Sequence, residues 1–350
     1  MRLSHVILSA NKLAHKCRTF SGIQPTGTLH LGNYFGAVQQ WVTDVESNTN
    51  QRRDEQLFSI VDLHALTMPQ NPELLRDNIF TMTASLFGCG LNPEKAIVFQ
   101  QSHVLEHTQL CWLLGCLGTV STLTRLSQYK EKSRTLKEVP LGLLTYPVLQ
   151  AADILLYRAT RVPVGEDNLQ NLETCRQLAS KFNSTYKVDL FPQPETVLVK
   201  DEASRRIRSL KDPTKKMSKS DINQKSCLYI LDDPDTIRLK IRRALTDFTS
   251  EVTYDPDNRP GVSNLLCIHS RITGQDAQTI CEEVRGKDTG EYKLLLAEVV
   301  IEHFKPIRER TNYLLENKDH LQAVLEKGSQ SAREIAQVTL QKAYEAVGIK

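Results

Sequence analysis

Thr19-Phe20-Ser21-Gly22-Ile23-Gln24-Pro25-Thr26-Gly27-Thr28-Leu29-His30-Leu31-Gly32-Asn33 divides into a short buried strand, a turn and the opening of a helix. The apolar run at 19–23 ends at Pro25 and Gly27, two residues that break regular structure. Tyr34, Val38 and Trp41 then recur at helical spacing, so a helix starts near residues 31–33. Downstream, residues 57–61 form a second apolar strand, 72–87 a helix closed by Gly88 and Gly90, and 96–99 a third strand. This β-α-β-α-β alternation predicts an α/β protein with a doubly wound parallel sheet, whose ligands sit outside the carboxyl ends of the strands.

Farther on, residues 107–128 are helix-rich and read as an insertion. Val162-Pro163-Val164 reads as a strand running into a helix near Glu166, and residues 196–199 as one more strand. Asp233-Pro234-Asp235 marks a helix start, and the final third is expected to be mostly helical. A chain of 350 residues suits two domains, or one large α/β domain with a helical appendage.

Composition excludes several classes. With 24% charged and 40% hydrophobic residues, the chain is neither disordered nor fibrous. A formal charge of +3 does not by itself announce a nucleic-acid binder, although Arg205, Arg206, Arg208, Lys240, Arg242 and Arg243 are local cations able to meet phosphates. The eight cysteines form no C-x-x-C pair and no zinc-ligand spacing, so they read as reduced thiols. No apolar run is long enough to span a bilayer, and no membrane partner is expected. The first twenty residues differ from the rest: Arg2, Lys12, Lys16 and Arg18 are interleaved with Leu3, Val6, Ile7, Leu8 and Leu13, and no acidic residue occurs before Asp44. Such a basic, amphipathic, acid-free leader predicts a mitochondrial presequence over residues 1–19, cleaved near Arg18-Thr19-Phe20, and a matrix location.

The chemistry concentrates in two motifs. His30-Leu31-Gly32-Asn33 stands where the first strand yields to its helix. Gly32 lets a planar base approach the backbone, while the imidazole and amide can donate to phosphate oxygens. About 180 residues later comes Lys216-Met217-Ser218-Lys219-Ser220, whose lysines bring mobile positive charge to a polyphosphate leaving group. The chain has no G-x-x-x-x-G-K-[ST], which removes the P-loop enzymes.

Together these motifs resemble the two signatures of class I aminoacyl-tRNA synthetases. The stretches at 20–27, 142–149, 151–157, 162–167 and 212–220 are similar, in the same order, to bacterial-type tryptophanyl-tRNA synthetases, and the resemblance runs from about Phe20 almost to the C-terminus. It implies a Rossmann-like catalytic domain at 20–228 with a helical insertion at about 103–140. Residues 229–350 would then hold an α-helical anticodon-recognition region and C-terminal helices. A homodimer using the inserted segment is also implied, with L-tryptophan, ATP and tRNA(Trp) as partners. Mg2+ comes with ATP as substrate; no tightly bound cofactor and no protein metal site are expected.

The resemblance also distributes roles. Gln24, His30, Leu31, Gly32 and Asn33 would meet ATP, Gly165, Glu166 and Asp167 would hold its adenosine end, and Ile207 would lie by the adenine. Lys216, Met217, Ser218, Lys219 and Ser220 would clamp the pyrophosphate, with Lys216, Lys219, His30 and Asn33 as the catalytic set. Lys132 resembles a second phosphate-directed lysine. Gly22, Gln24, His64, Tyr146, Gln150 and Asp153 would contact tryptophan, beside the apolar Phe20, Val162 and Val164. Asp153 would accept the indole N–H, the side chain's one hydrogen-bond donor. Read locally, Asp153 also suits the cap of a helix that Ile154 begins.

Two positions depart from the bacterial pattern: Asn168 stands where glutamine is usual and Gln150 where methionine is frequent. The first puts the expected contact to the substrate amino group in doubt, and the second gives a Leu-Gln-x-x-Asp stretch like that of tyrosyl-tRNA synthetases. A tyrosyl-tRNA synthetase, an HxGH-type nucleotidyltransferase and a non-catalytic tRNA-binding descendant remain as alternatives.

Overall fold

The computed structural model describes residues 16–47, 54–134, 136–198, 207–218 and 224–349. Strands β1 (Arg18–Ile23), β2 (Glu55–Ile60), β3 (Ile97–Gln100), β4 (Arg161–Val164) and β5 (Glu195–Leu198) form one sheet in the order β3-β2-β1-β4-β5. Every pairing is parallel. Both faces are covered. Leu57 and Phe99 point into one apolar cluster while their chain neighbours Phe58 and Val98 point into the other, as the two-residue period of a strand requires.

The N-terminal half supplies short helices α1 (Leu31–Asn33), α2 (Gln39–Ser47) and α3 (Asp62–Ala65), then α4 (Pro72–Gly88). A single π-turn at Tyr34–Val38 joins α1 to α2. Helices α5 (Glu106–Gly115), α6 (Val120–Leu123) and α7 (Ser127–Ser133) make the insertion, followed by α8 (Leu141–Leu156) and α9 (Leu169–Tyr186). Beyond residue 229 come α10 (Pro234–Arg242), α11 (Pro260–Thr273), α12 (Ala277–Glu283), α13 (Thr289–Glu316) and α14 (Lys318–Val347). Asp233 caps α10 through the Thr236 N–H, and Asp288 and Glu291 make a reciprocal capping box at α13.

The helices beyond residue 229 pack back onto the sheet layer. α13 lies along α4, and α14 returns to the sheet beside β3. The first half of α14 adds Leu321 and Leu325 to one core cluster and the second half adds Ala332, Ala336, Leu340 and Ala343 to the other. The helix therefore crosses the open edge of β3 and covers it. Its approach depends on Gly328, because a Cβ there would collide with the carbonyl oxygen of Val98. Gly328→Ala is expected to cost about 1–3 kcal/mol of stability, as overpacking a filled contact does. Urea unfolding measures it, and an unchanged midpoint would mean that α14 stands clear of the strand.

The predicted leader, residues 1–19, overlaps the first strand. Arg18 and Thr19 are paired in β1 with Glu55 and Gln56, and the Arg18 guanidinium donates to Glu55 Oε2 at 2.6 Å and to the Tyr157 carbonyl at 3.1 Å. Cleavage near Arg18-Thr19-Phe20 would take the first residues of the central strand with it. Residues 1–15, most of the predicted leader, lie outside the described residues.

Candidate active site

β1 neighbours both β2 and β4, so the chain leaves its first strand toward one side of the sheet and its fourth toward the other. A crevice opens at the carboxyl ends of strands where the winding reverses in this way. A cavity of about 690 Å³ occupies that place, lined by the exits of β1 (Gly22 to Gln24) and β4 (Val164, Gly165).

One end of the cavity is apolar with a charged floor. Phe20, Val162, Val164 and Ile154 line it together with His64, Tyr146, Gln150 and Asp153. Asp153 is 1% exposed and sits inside α8 rather than at its start, so the helix-cap alternative fails. Its carboxylate has three protein donors. Oδ1 accepts from Gln101 Nε2 at 2.8 Å and pairs with His107 Nδ1 at 2.6 Å, while Oδ2 pairs with His64 Nε2 at 2.7 Å. Burial alone would raise the carboxyl pKa, but the neighbouring His107 and His64 more than reverse this and hold it well below the usual aspartate range. Asp153 is an acceptor that lines the cavity, with one protein partner on Oδ2 and two on Oδ1.

Beside it lies a set of amides. Tyr146 donates its hydroxyl to Gln128 Oε1 at 2.8 Å, and burial raises its phenol pKa, so the group stays a hydroxyl. Asn171 Nδ2 donates to Gln150 Oε1 at 3.1 Å and to Asn168 Oδ1 at 3.4 Å. The two positions that depart from the bacterial pattern are thus tied through one side chain. Their carbonyl oxygens and the tyrosine hydroxyl form an uncharged acceptor cluster suited to an ammonium group.

The same cavity is also lined by Gln24, Gly32, Asn33, Gly165, Asp167, Ile207, Lys132 and Lys216. The two signatures meet here because the segment following the second motif pairs with the first. Leu31 N–H donates to Leu228 O at 2.9 Å and Ile230 N–H to Leu29 O at 3.0 Å. His30 caps α1 by accepting the Asn33 N–H at Nδ1, 3.2 Å away, which places the proton of the neutral ring on Nε2. A Cβ on Gly32 would come within 2.9 Å of that imidazole, so glycine is required for the cap itself. Lys216 is exposed on a hairpin held by Ser209 N–H to Lys215 O (3.0 Å) and Met217 N–H to Ile207 O (3.2 Å). Asn264 of α11 grips the other strand of this hairpin, accepting from Arg208 N at 2.8 Å and donating to Arg208 O at 3.1 Å. Lys132, on α7, holds its ammonium 5.6 Å from the Tyr146 ring centre.

Some predicted residues stand elsewhere. Leu31 and Met217 are core side chains, 0% and 1% exposed, and neither they nor His30 and Ser218 line the cavity. Lys219 and Ser220 lie outside the described residues, as do Arg205 and Arg206, and Glu166 is described only as part of a short 3-10 turn. Of the other predicted phosphate cations, Lys240 is buried against Asp232 at 2.7 Å and over the Tyr229 ring, and Arg208 donates to the carbonyls of Pro213 and Thr214. Both brace the fold, whereas Arg242 and Arg243 are exposed. The sequence reading missed Gln101, His107, Gln128, Asn171 and Arg271. His107 left one trace, an ionisable residue at the start of the apolar helix 106–115.

Comparison with known proteins gives one family. The sequence model of class I tRNA synthetases for tryptophan and tyrosine matches residues 12–305. The tryptophan–tRNA ligase 2 of Streptomyces avermitilis is 43% identical over 334 residues, covering 95% of this chain and 96% of the relative. The tryptophan–tRNA ligase of Bacillus anthracis is 44% identical over 330 residues, covering 94% and 97%. Among solved structures, the tryptophanyl-tRNA synthetase of Campylobacter jejuni complexed with ADP and tryptophan superposes with a TM-score of 0.82 at 33% identity, covering 95% of this chain and 99% of its own.

Proposed function

From the premise that the chain belongs to the class I tRNA synthetases for tryptophan and tyrosine, on the bacterial-type tryptophanyl side, we propose that it activates L-tryptophan with Mg-ATP and loads it onto tRNA(Trp) in the mitochondrial matrix. The single observation that carries the substrate assignment is the buried Asp153 carboxylate in a cavity that residues of the two signature motifs also line. Indole fits the apolar end. Its one N–H reaches Oδ2 while Phe20, Val162 and Val164 take the ring.

The tryptophan carboxylate then attacks the ATP α-phosphate in line. No protein nucleophile is needed, so the residues align the reactants and meet developing charge. The acceptors at Tyr146, Gln150 and Asn168 hold the substrate ammonium and point the carboxylate toward the mouth. There the backbone beside Gly32 and Gly165 leaves room for adenosine, and Lys216 faces the departing pyrophosphate. Mg2+ enters with the ATP phosphates, whose charge it neutralises. The tRNA ribose finally takes the tryptophanyl group from the adenylate.

ATP–pyrophosphate exchange with each of the twenty amino acids tests the substrate. Tryptophan is expected to support exchange at least about a hundredfold better than tyrosine or phenylalanine, the scale a polar readout delivers. Exchange driven by tyrosine, or by none of them, would overturn the assignment. The basic, acid-free leader supports the matrix location. A fluorescent protein fused behind residues 1–17 should enter mitochondria, and a diffuse cytosolic signal would refute that part alone. Exposed Trp112, Val120 and Leu141, on or beside the insertion, support a homodimer, readable by sedimentation.

A further inference from the structure

The Asp153 carboxylate does not stand alone behind its pocket. His107 is 0% exposed, and its two ring nitrogens are both engaged: Nδ1 with Asp153 Oδ1 at 2.6 Å and Nε2 with the Tyr157 hydroxyl at 2.8 Å. Tyr157 is itself fully buried, its ring stacked on Phe20 with centroids 5.7 Å apart. Neither His107 nor Tyr157 lines the cavity, so neither can touch substrate. The arrangement is a line of three groups, hydroxyl, imidazole and carboxylate, that ends at the pocket floor.

We propose that Tyr157 and His107 are positioning residues for substrate selection: the tyrosine hydroxyl fixes the imidazole proton on Nδ1, and that proton locks the Asp153 carboxylate with one acceptor site aimed at an indole N–H. This rests on the tryptophan reading above and deepens it. The proton placement follows from the chemistry of the end group. Burial pushes the Tyr157 phenol well above its ordinary pKa, so it always has a proton to give. Given to Nε2, it makes that nitrogen the acceptor and leaves the proton of the neutral ring on Nδ1, facing the carboxylate.

The lock matters because a carboxylate is otherwise free to turn. Oδ1 is filled by Gln101 and His107, which fixes the plane of the group. Oδ2 carries one protein partner, His64, against two on Oδ1, and Asp153 lines the cavity, so Oδ2 is the oxygen left to take a further donor. A ligand ring lacking an N–H would strand that oxygen. One with an N–H satisfies it only while the carboxylate holds its angle.

Exchange assays with tryptophan and with β-(3-benzothienyl)alanine, which replaces the indole N–H by sulfur, separate this from ordinary packing. Tyr157→Phe keeps the ring and the stack but removes the proton donor. It is expected to lower kcat/KM for tryptophan by about tenfold to a hundredfold while changing that for the benzothienyl analogue less than about threefold. His107→Gln, without a donor at the Nδ1 position, should behave likewise, and His107→Asn, whose amide can reach Asp153, should recover most of the preference. A loss that falls equally on both substrates, or a preference unchanged in Tyr157→Phe, overturns the proposal. Absence of tryptophan-dependent exchange in the unaltered protein would instead overturn the functional reading on which it rests.

Discussion

Asp153→Asn is expected to lower tryptophan-dependent pyrophosphate exchange by about three orders of magnitude in kcat/KM, the scale on which a site built for one polar contact rejects its loss. Neither orientation of the amide can replace the carboxylate. With its NH2 group toward Oδ1's place, it faces the donors of Gln101 and His107; turned the other way, it faces the cavity where the indole N–H must dock. Each arrangement sets donor against donor, and a buried unsatisfied polar group costs about 1–3 kcal/mol before the substrate is counted. Exchange rates together with direct tryptophan binding measure the effect. An Asn variant within about tenfold of the unaltered protein would mean that the indole does not report to this residue.

The same substitution changes acid stability in a direction the geometry fixes. Burial would raise the Asp153 pKa, and the adjacent imidazoles reverse that shift, so its folded pKa lies below the ordinary value of 3.8. A lowered folded pKa contributes stability that is complete above the unfolded value and is lost as pH falls through the folded one. The stability gap between the unaltered protein and Asp153→Asn should therefore hold steady above about pH 5 and begin to close only as pH falls below 3.8. Urea midpoints across that range check it; a gap that grows on acidification has the wrong sign.

Lys216→Ala is expected to slow adenylate formation by about a hundredfold to a thousandfold and to leave the tryptophan Kd within about threefold. The hairpin holding Lys216 is braced by backbone bonds and by Asn264, so truncating this exposed side chain leaves its support standing. What disappears is a cation among the side chains that line the cavity, the one proposed to meet the leaving pyrophosphate. Its contribution grows as charge moves onto the leaving group, which makes the loss one of kcat rather than of binding. Single-turnover kinetics distinguish the two. Unchanged turnover, or a tryptophan affinity that falls with the rate, would remove Lys216 from this role.

Element by element, the sheet was legible because strands announce themselves locally. Residues 57–61, 96–99 and 162–164 are short apolar runs between turn formers, and each lies within a residue or two of a strand. Helix α8 was not legible as a continuous element, since Pro147 stands inside it. An internal proline costs a helix about 3 kcal/mol. Burial of Leu143, Val148, Ile154, Leu155 and Leu156 returns roughly 1.5–3 kcal/mol each, and packing overrides the local signal. That continuity is what places Asp153 on a helix flank instead of at a cap.

The sequence by itself determined the order of strands and helices and the presence of the two motifs at 30–33 and 216–220, because each is written in neighbouring residues; the aspartate it offered only through a family resemblance, its local reading being a helix cap. Tertiary structure alone decided that α14 closes the β3 edge, that Lys240 and Arg208 brace the fold, and that Asp153 is held by Gln101, His107 and His64. Those contacts join positions 52, 46 and 89 residues apart around one buried charge. A buried charge selects its partners by where the packed chain leaves donors, and linear spacing carries no trace of that choice.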